Sequence, residues 1–189
     1  MRKITTIMLA AAIALSLAAC GSGKAGNESV GETPLEILSN VWDSYLDNEK
    51  FPIMGGGPEF EQSVMDQAGE FATTDAEAMD SLLGFPSSSI ALVKEAASIM
   101  HAMNQNTFTA GAYYVSNSGD VEMLISDLED NIMSRQWMCG FPDTLIIVKV
   151  DANTLVSAFG EATNIENFKN RILEAYSGAE IVSEHSLVQ

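Results

Sequence analysis

The chain has 189 residues, 47% of them hydrophobic and 19% charged, with 26 acidic against 9 basic side chains and a net charge of −17. So negative a chain excludes nucleic acid as a partner, because phosphate backbones need clustered Lys and Arg. It equally excludes electrostatic docking on anionic lipid head groups.

The first residues have the three parts of a secretory signal. Arg2 and Lys3 form the positive end, Ile4 through Ala14 are mostly apolar, and Leu17-Ala18-Ala19 is a small-residue exit that stops at Cys20. The apolar run is too short for a membrane span, which needs about 20 such residues. Leu17-Ala18-Ala19-Cys20 resembles the lipobox of bacterial lipoproteins. The resemblance implies that residues 1–19 are a cleaved signal peptide and that Cys20 receives a diacylglyceryl thioether. It also implies a mature chain anchored by lipid to the outer face of the cytoplasmic membrane. Losing Arg2 and Lys3 leaves 7 basic against 26 acidic side chains, a net charge of −19. With Cys20 acylated, Cys139 has no intrachain partner, so a disulfide framework is excluded. GSGKAGNESVGE (21–32) lacks aromatics and is rich in Gly, Ser and charge, so residues 20–32 read as a lipidated N-terminus and flexible tether.

Residues 33–189 read as one α+β domain. Thr33-Pro34-Leu35-Glu36 is a capping box, and Leu38, Val41, Trp42 and Tyr45 follow at helical spacing, which predicts a helix over 34–47. FPIMGGGP (51–58) reads as a short strand ending in a glycine turn, while 59–72 carry no clear period. Thr74-Asp75-Ala76-Glu77 is a second capping box, opening a short helix that Gly84 stops. Leu92, Val93, Ala96, Ile99, Met100 and Met103 predict another helix, so 33–104 forms a mostly helical extension.

The rest alternates more sharply. TFTAGAYYV (107–115) is aromatic and Thr-rich, as strands are. Val121, Leu124, Ile125, Leu128 and Ile132 mark an amphipathic helix whose other face carries Glu122, Asp127, Glu129 and Asp130. LIIVKV (145–150) and LVSAF (155–159) read as strands joined by a turn at Asp151 and Asn153. Thr163-Asn164-Ile165-Glu166 is a third capping box, leading a helix that Gly178 ends, and 180–187 reads as a last strand. The order over 105–188 is the βαββαβ pattern of a ferredoxin-like module, with both helices expected on one face of a four-stranded antiparallel sheet.

AASIMHAMNQNTFTAGAYYV, RQWMCGFPDTLIIV and FGEATNIENFK resemble segments of small, uncharacterised lipoproteins of Gram-positive anaerobes, sometimes labelled bile-acid transporters. The resemblance implies a role beside a transporter rather than transport itself, since no membrane-spanning helix remains after cleavage.

Motifs for chemistry are sparse. Gly55-Gly56-Gly57 lacks both phosphate-loop fingerprints and reads as a turn. Met100, His101 and Met103 place soft ligands close together, yet neither a cysteine nor a second nearby histidine supports a metal, and Met is a common core filler. The acidic clusters match no calcium loop, and two histidines without a nucleophile motif give no triad. No cofactor is implied. RQWMCGFPD (135–143) is the most distinctive loop. It has two readings, an aromatic rim of a ligand or partner site at Trp137 and Phe141, or closure of one core end around a buried Cys139. The core reading is the favoured one. The sequence therefore points to a non-catalytic small-molecule binding accessory, and the resemblance implies an amphipathic, bile-acid-like ligand. Trp137, Phe141, Met100, His101 and Met103 are the candidate contacts. The alternative is a protein-interaction or structural module of the envelope.

Overall fold

A computed structural model describes residues 31–57, 59–138 and 140–188. The expected signal peptide, the Cys20 lipidation site and Cys139 lie outside the described residues.

The first capping box forms as its sequence predicts. Thr33 Oγ1 accepts from the Glu36 amide at 3.2 Å while Glu36 Oε2 accepts from the Thr33 amide at 2.8 Å, opening α1 (Pro34–Asp43). Ile37, Leu38, Val41 and Trp42 form its buried stripe. Three short strands follow, β1 (Ile53–Gly56), β2 (Ser63–Met65) and β3 (Gly69–Phe71), and then α2 (Ala76–Leu83). Asp75, not Thr74, caps α2, accepting from the Ala78 amide at 2.9 Å, and Gly84 closes it at φ 65°. The remaining elements are β4 (Val93–His101), β5 (Phe108–Val115), α3 (Val121–Met133), β6 (Thr144–Lys149), β7 (Thr154–Gly160), α4 (Ala162–Ala175) and β8 (Glu180–Ser186).

All eight strands belong to one antiparallel sheet in the order β2-β1-β4-β5-β7-β6-β8, with β3 also paired to β4. The expected helix over 92–103 is instead the strand β4, in register with β5 from Ala96↔Tyr113 to Met100↔Thr109. Ala97 and Ile99 enter the core on one face of the sheet, Ala96 and Met100 the core on the other. A strand buried on both faces gives a short continuous apolar run, and such a run also satisfies helical spacing. The 33–104 segment is therefore not a mostly helical extension. It contributes half of the strands to the common sheet.

The ferredoxin-like expectation is corrected in the same way. The element order βαββαβ is present, but β8 pairs with β6 rather than beside β5, whose free edge β4 already occupies. Both crossovers, β5-α3-β6 and β7-α4-β8, skip one antiparallel strand and step in the same direction across the sheet. Their starting strands run oppositely, so right-handed crossovers must pass over opposite faces. The two cores agree. Ile165, Phe168 and Ile172 of α4 pack with α1 on one face, and Leu124, Leu128 and Ile132 of α3 pack with α2 on the other. The result is an α+β protein with one sheet between two helical layers.

The glycine run has a structural role. A Cβ on Gly55 would fall 2.2 Å from the Gly69 amide nitrogen, so β1 and β3 approach backbone to backbone where they share the edge of β4. The buried Ser98 hydroxyl locks this fork, accepting from the Gly56 amide at 2.9 Å and donating to the Gly56 carbonyl at 3.0 Å.

Candidate functional site

Where α3 ends, the chain must turn back to start β6, and this loop builds the site. Arg135 reaches across to the C-terminal end of α2, where Nη1 donates to the Asp80 carbonyl at 2.7 Å and Nη2 donates to the Ser81 carbonyl. A cation at the negative end of a helix also suits its dipole. Asn131 reinforces the junction, donating to Asp80 Oδ1 at 3.0 Å and to the Gly84 carbonyl at 2.9 Å. The guanidinium carbon sits 5.3 Å from the centre of the Trp137 ring, a cation–π arrangement. That ring packs in turn on Phe159 of β7, with centroids 5.0 Å apart and planes at 53°. Burial pulls the Arg135 pKa below its usual value while Asp80 opposes that shift, and an arginine stays charged throughout.

Beside this stack lies a cavity of about 710 Å³, open to solvent. Trp137 and Arg135 line one side with Met133, Gln136 and Phe141, and the end of β8 lines the other with Ser186, Leu187 and Val188. The β8 wall is held in place by the Leu187 amide, which donates to the Asp143 carbonyl at 2.8 Å. Among the described residues, Arg135 is the only charged side chain in the lining. The volume lies inside the usual range for small-molecule sites, which are mostly apolar with a few placed polar groups.

The structure separates the five sequence-selected residues. Trp137 and Phe141 both line the cavity. Phe141 does not close the core, being 72% exposed, whereas Trp137 is half-buried against Phe159. Met100 is 1% exposed, deep in the core on the α3 face, and does not reach the cavity. His101 points to the opposite face, as the next residue of a strand must. There it stacks on Phe51 at 5.4 Å, and its Nδ1 accepts from the amides of Met103 and Asn104. Met103 stands in the following loop, 86% exposed. The Met100-His101-Met103 set therefore does not converge, and among the described residues no group of three or more His, Cys, Asp or Glu side chains could hold a metal.

A second loop supports the first. Asn106 Nδ2 donates to the carbonyls of Met138 at 2.7 Å and Gly140 at 3.0 Å, which brings the Met103 and Met138 loops together. Met138 is 80% exposed. This end of the molecule thus carries the exposed side chains of Met103, Met138 and Phe141.

One serine, histidine and carboxylate do meet, away from the cavity lining. Ser183 donates to Glu129 Oε2 at 2.9 Å and His185 Nε2 lies 2.9 Å from Glu129 Oε1. The carboxylate stands between the other two, so the imidazole is not placed to take the serine proton as nucleophilic catalysis requires.

Arg135, Met133, Leu187 and Val188 were not legible as site residues. Arg135 stands next to Trp137 in the distinctive loop, but only the fold shows its cation beside the cavity. Leu187 and Val188 meet that loop through strand pairing between β6 and β8. Comparisons with protein-family models, with curated proteins and with solved structures found no match, so the functional argument rests on this geometry.

Proposed function

We propose that this protein is a non-catalytic accessory that binds a small amphipathic molecule in the cavity between the Trp137 loop and the end of β8. We further propose that it works at the outer face of the cytoplasmic membrane, anchored through lipid on Cys20. The observation that carries the binding reading is the cavity of about 710 Å³, walled by Trp137, Phe141, Leu187 and Val188. Support for the address comes from the Leu17-Ala18-Ala19-Cys20 sequence. No helix among the described residues is long and apolar enough to cross a membrane.

Thermal shift against alkyl glucosides, medium-chain fatty acids and cholate tests the binding reading. A ligand at 100 times its dissociation constant adds about 2.7 kcal/mol to stability. For a domain of this size that raises the melting midpoint by roughly 5 to 10 °C. Trp137→Ala is expected to abolish the shift while the variant still melts cooperatively. A flat response to the whole panel overturns the reading.

One observation favours a second reading, a protein-interaction module. Met103, Met138 and Phe141 expose large apolar side chains at the same end of the molecule. A flat ligand panel, with a specific partner lost on Phe141→Ser, is the outcome that selects it.

A further inference from the structure

The charge around the cavity runs against the charge of the molecule. The chain carries 26 acidic side chains, yet among the described residues no acidic side chain lines the cavity, and the one charged side chain there is Arg135. Two of the other basic side chains, Arg171 and Lys169, are neutralised in place. Arg171 bridges Glu49 at 2.7 Å and Glu174 at 3.2 Å, and Lys169 bridges Glu166 at 2.6 Å and Glu184 at 3.1 Å. Arg135 instead spends two of its N–H groups on the backbone carbonyls of Asp80 and Ser81, with the Asp80 carboxylate close enough to act on its charge but not in an ion pair with it. Its remaining donors have no protein partner among the described residues. Two carbonyl bonds and the Trp137 ring fix the fork, so an incoming acceptor meets a pre-oriented donor set and loses little side-chain entropy in engaging it.

Resting on the reading of this cavity as a ligand site, we infer that its ligand is an amphiphile with a singly charged anionic head group, which Arg135 selects. The apolar body lies against Trp137, Phe141, Leu187 and Val188. The head, a carboxylate or sulfonate, takes the free donors of Arg135. A polyanion such as a nucleotide does not fit this pattern, because one cation faces it while the rest of the acidic molecule repels it.

Isothermal titration of the purified protein with three probes sharing a ten-carbon chain tests the inference. The probes are decanoate, 1-decanol and decyltrimethylammonium. Decanoate is expected to bind at least about tenfold more tightly than either of the others, the scale of a hydrogen bond to a charged group. Long-range attraction alone gives the opposite order, since the net charge of −17 favours the cation. Arg135→Gln is expected to bring decanoate down to the affinity of decanol, and Arg135→Lys to keep part of the preference. The three-probe comparison in the unaltered protein needs no variant, so it stands even where Arg135→Gln fails to fold. Equal affinity for all three heads, with binding abolished by Trp137→Ala, overturns the anionic head group and leaves the cavity reading standing. Failure of all three to bind overturns both. Binding to phosphatidylglycerol vesicles but not to free decanoate overturns the inference in favour of contact with a membrane surface.

Discussion

Tyr176 shows how single side chains tie distant parts of this chain together. Its hydroxyl donates to Glu32 Oε2, and Asn40 of α1 donates to the same hydroxyl at 3.2 Å. Burial first, and then the neighbouring Glu32 carboxylate, push its pKa from 10.0 up to about 12. A phenol with a raised folded pKa favours the folded state in its neutral form. Its contribution is complete below about pH 10 and is lost progressively as pH rises from there to about 12. Tyr176→Phe is therefore expected to flatten the alkaline loss of stability over that window, read as the urea midpoint against pH. Tyr45 and Tyr113 are also pushed up by burial, so some alkaline loss remains in the variant. Equal slopes in the two proteins would refute the role given to Tyr176.

Gly55 and Gly69 set the geometry of the element they join. The atoms that an added Cβ would strike are backbone, at 2.2 Å on the Gly69 nitrogen and 2.6 Å on the Ala68 carbonyl carbon, and backbone cannot rotate away. Gly55→Ala is expected to cost about 1–3 kcal/mol or more in chemical denaturation, as overpacking does, and to speed proteolysis between β1 and β3. A neutral effect would mean that the fork relaxes freely. The same elements show what the sequence can and cannot say. Thr33 and Glu36 announced α1 correctly because a capping box is local chemistry within four residues. Thr163 and Glu166 misplaced the start of α4, which begins at Ala162 with its amide donating to Asp143 Oδ2 at 3.0 Å. That cap comes from a residue distant in sequence, which no local pattern reveals. Residues 92–103 fit a helix by sequence because Ala96, Ile99 and Met100 match helical spacing; the burial of β4 on both faces erases the alternation that identifies a strand. Trp137 and Phe141 were visible as an unusual loop, but whether they closed the core or lined a cavity depended on where β8 came to lie. β8 went to the edge of β6 because β4 held the edge of β5, a fact of whole-sheet topology.

At the scale of the molecule, the start of the described chain and the cavity sit at opposite ends of the sheet. Gly31 lies against the Asp151 carboxylate, at the turn between β6 and β7, where a Cβ would fall 3.1 Å from Oδ2. The cavity lies where β6 begins and β8 ends, since Thr144 pairs with Ser186 there. The length of β6 separates the two ends by about 20 Å at roughly 3.3 Å per residue. With the proposed lipid on Cys20, residues 20–30 span at most about 38 Å when fully extended. On the proposed anchor the tether joins the domain at its turn end, which is therefore expected nearer the membrane on average, and the acidic surface gains nothing from lying flat on anionic head groups. The cavity should open away from the bilayer, towards molecules arriving from outside the cell. Nitroxide labels at Ala152→Cys and at Phe141→Cys, in a Cys139→Ser background reconstituted with nickel-chelating head groups, test this arrangement. Relaxation by nickel is expected to be stronger at position 152 than at 141. The reverse order would turn the cavity towards the membrane and point to a ligand delivered from the lipid phase. Absence of membrane association in the acylated protein would remove the anchor itself.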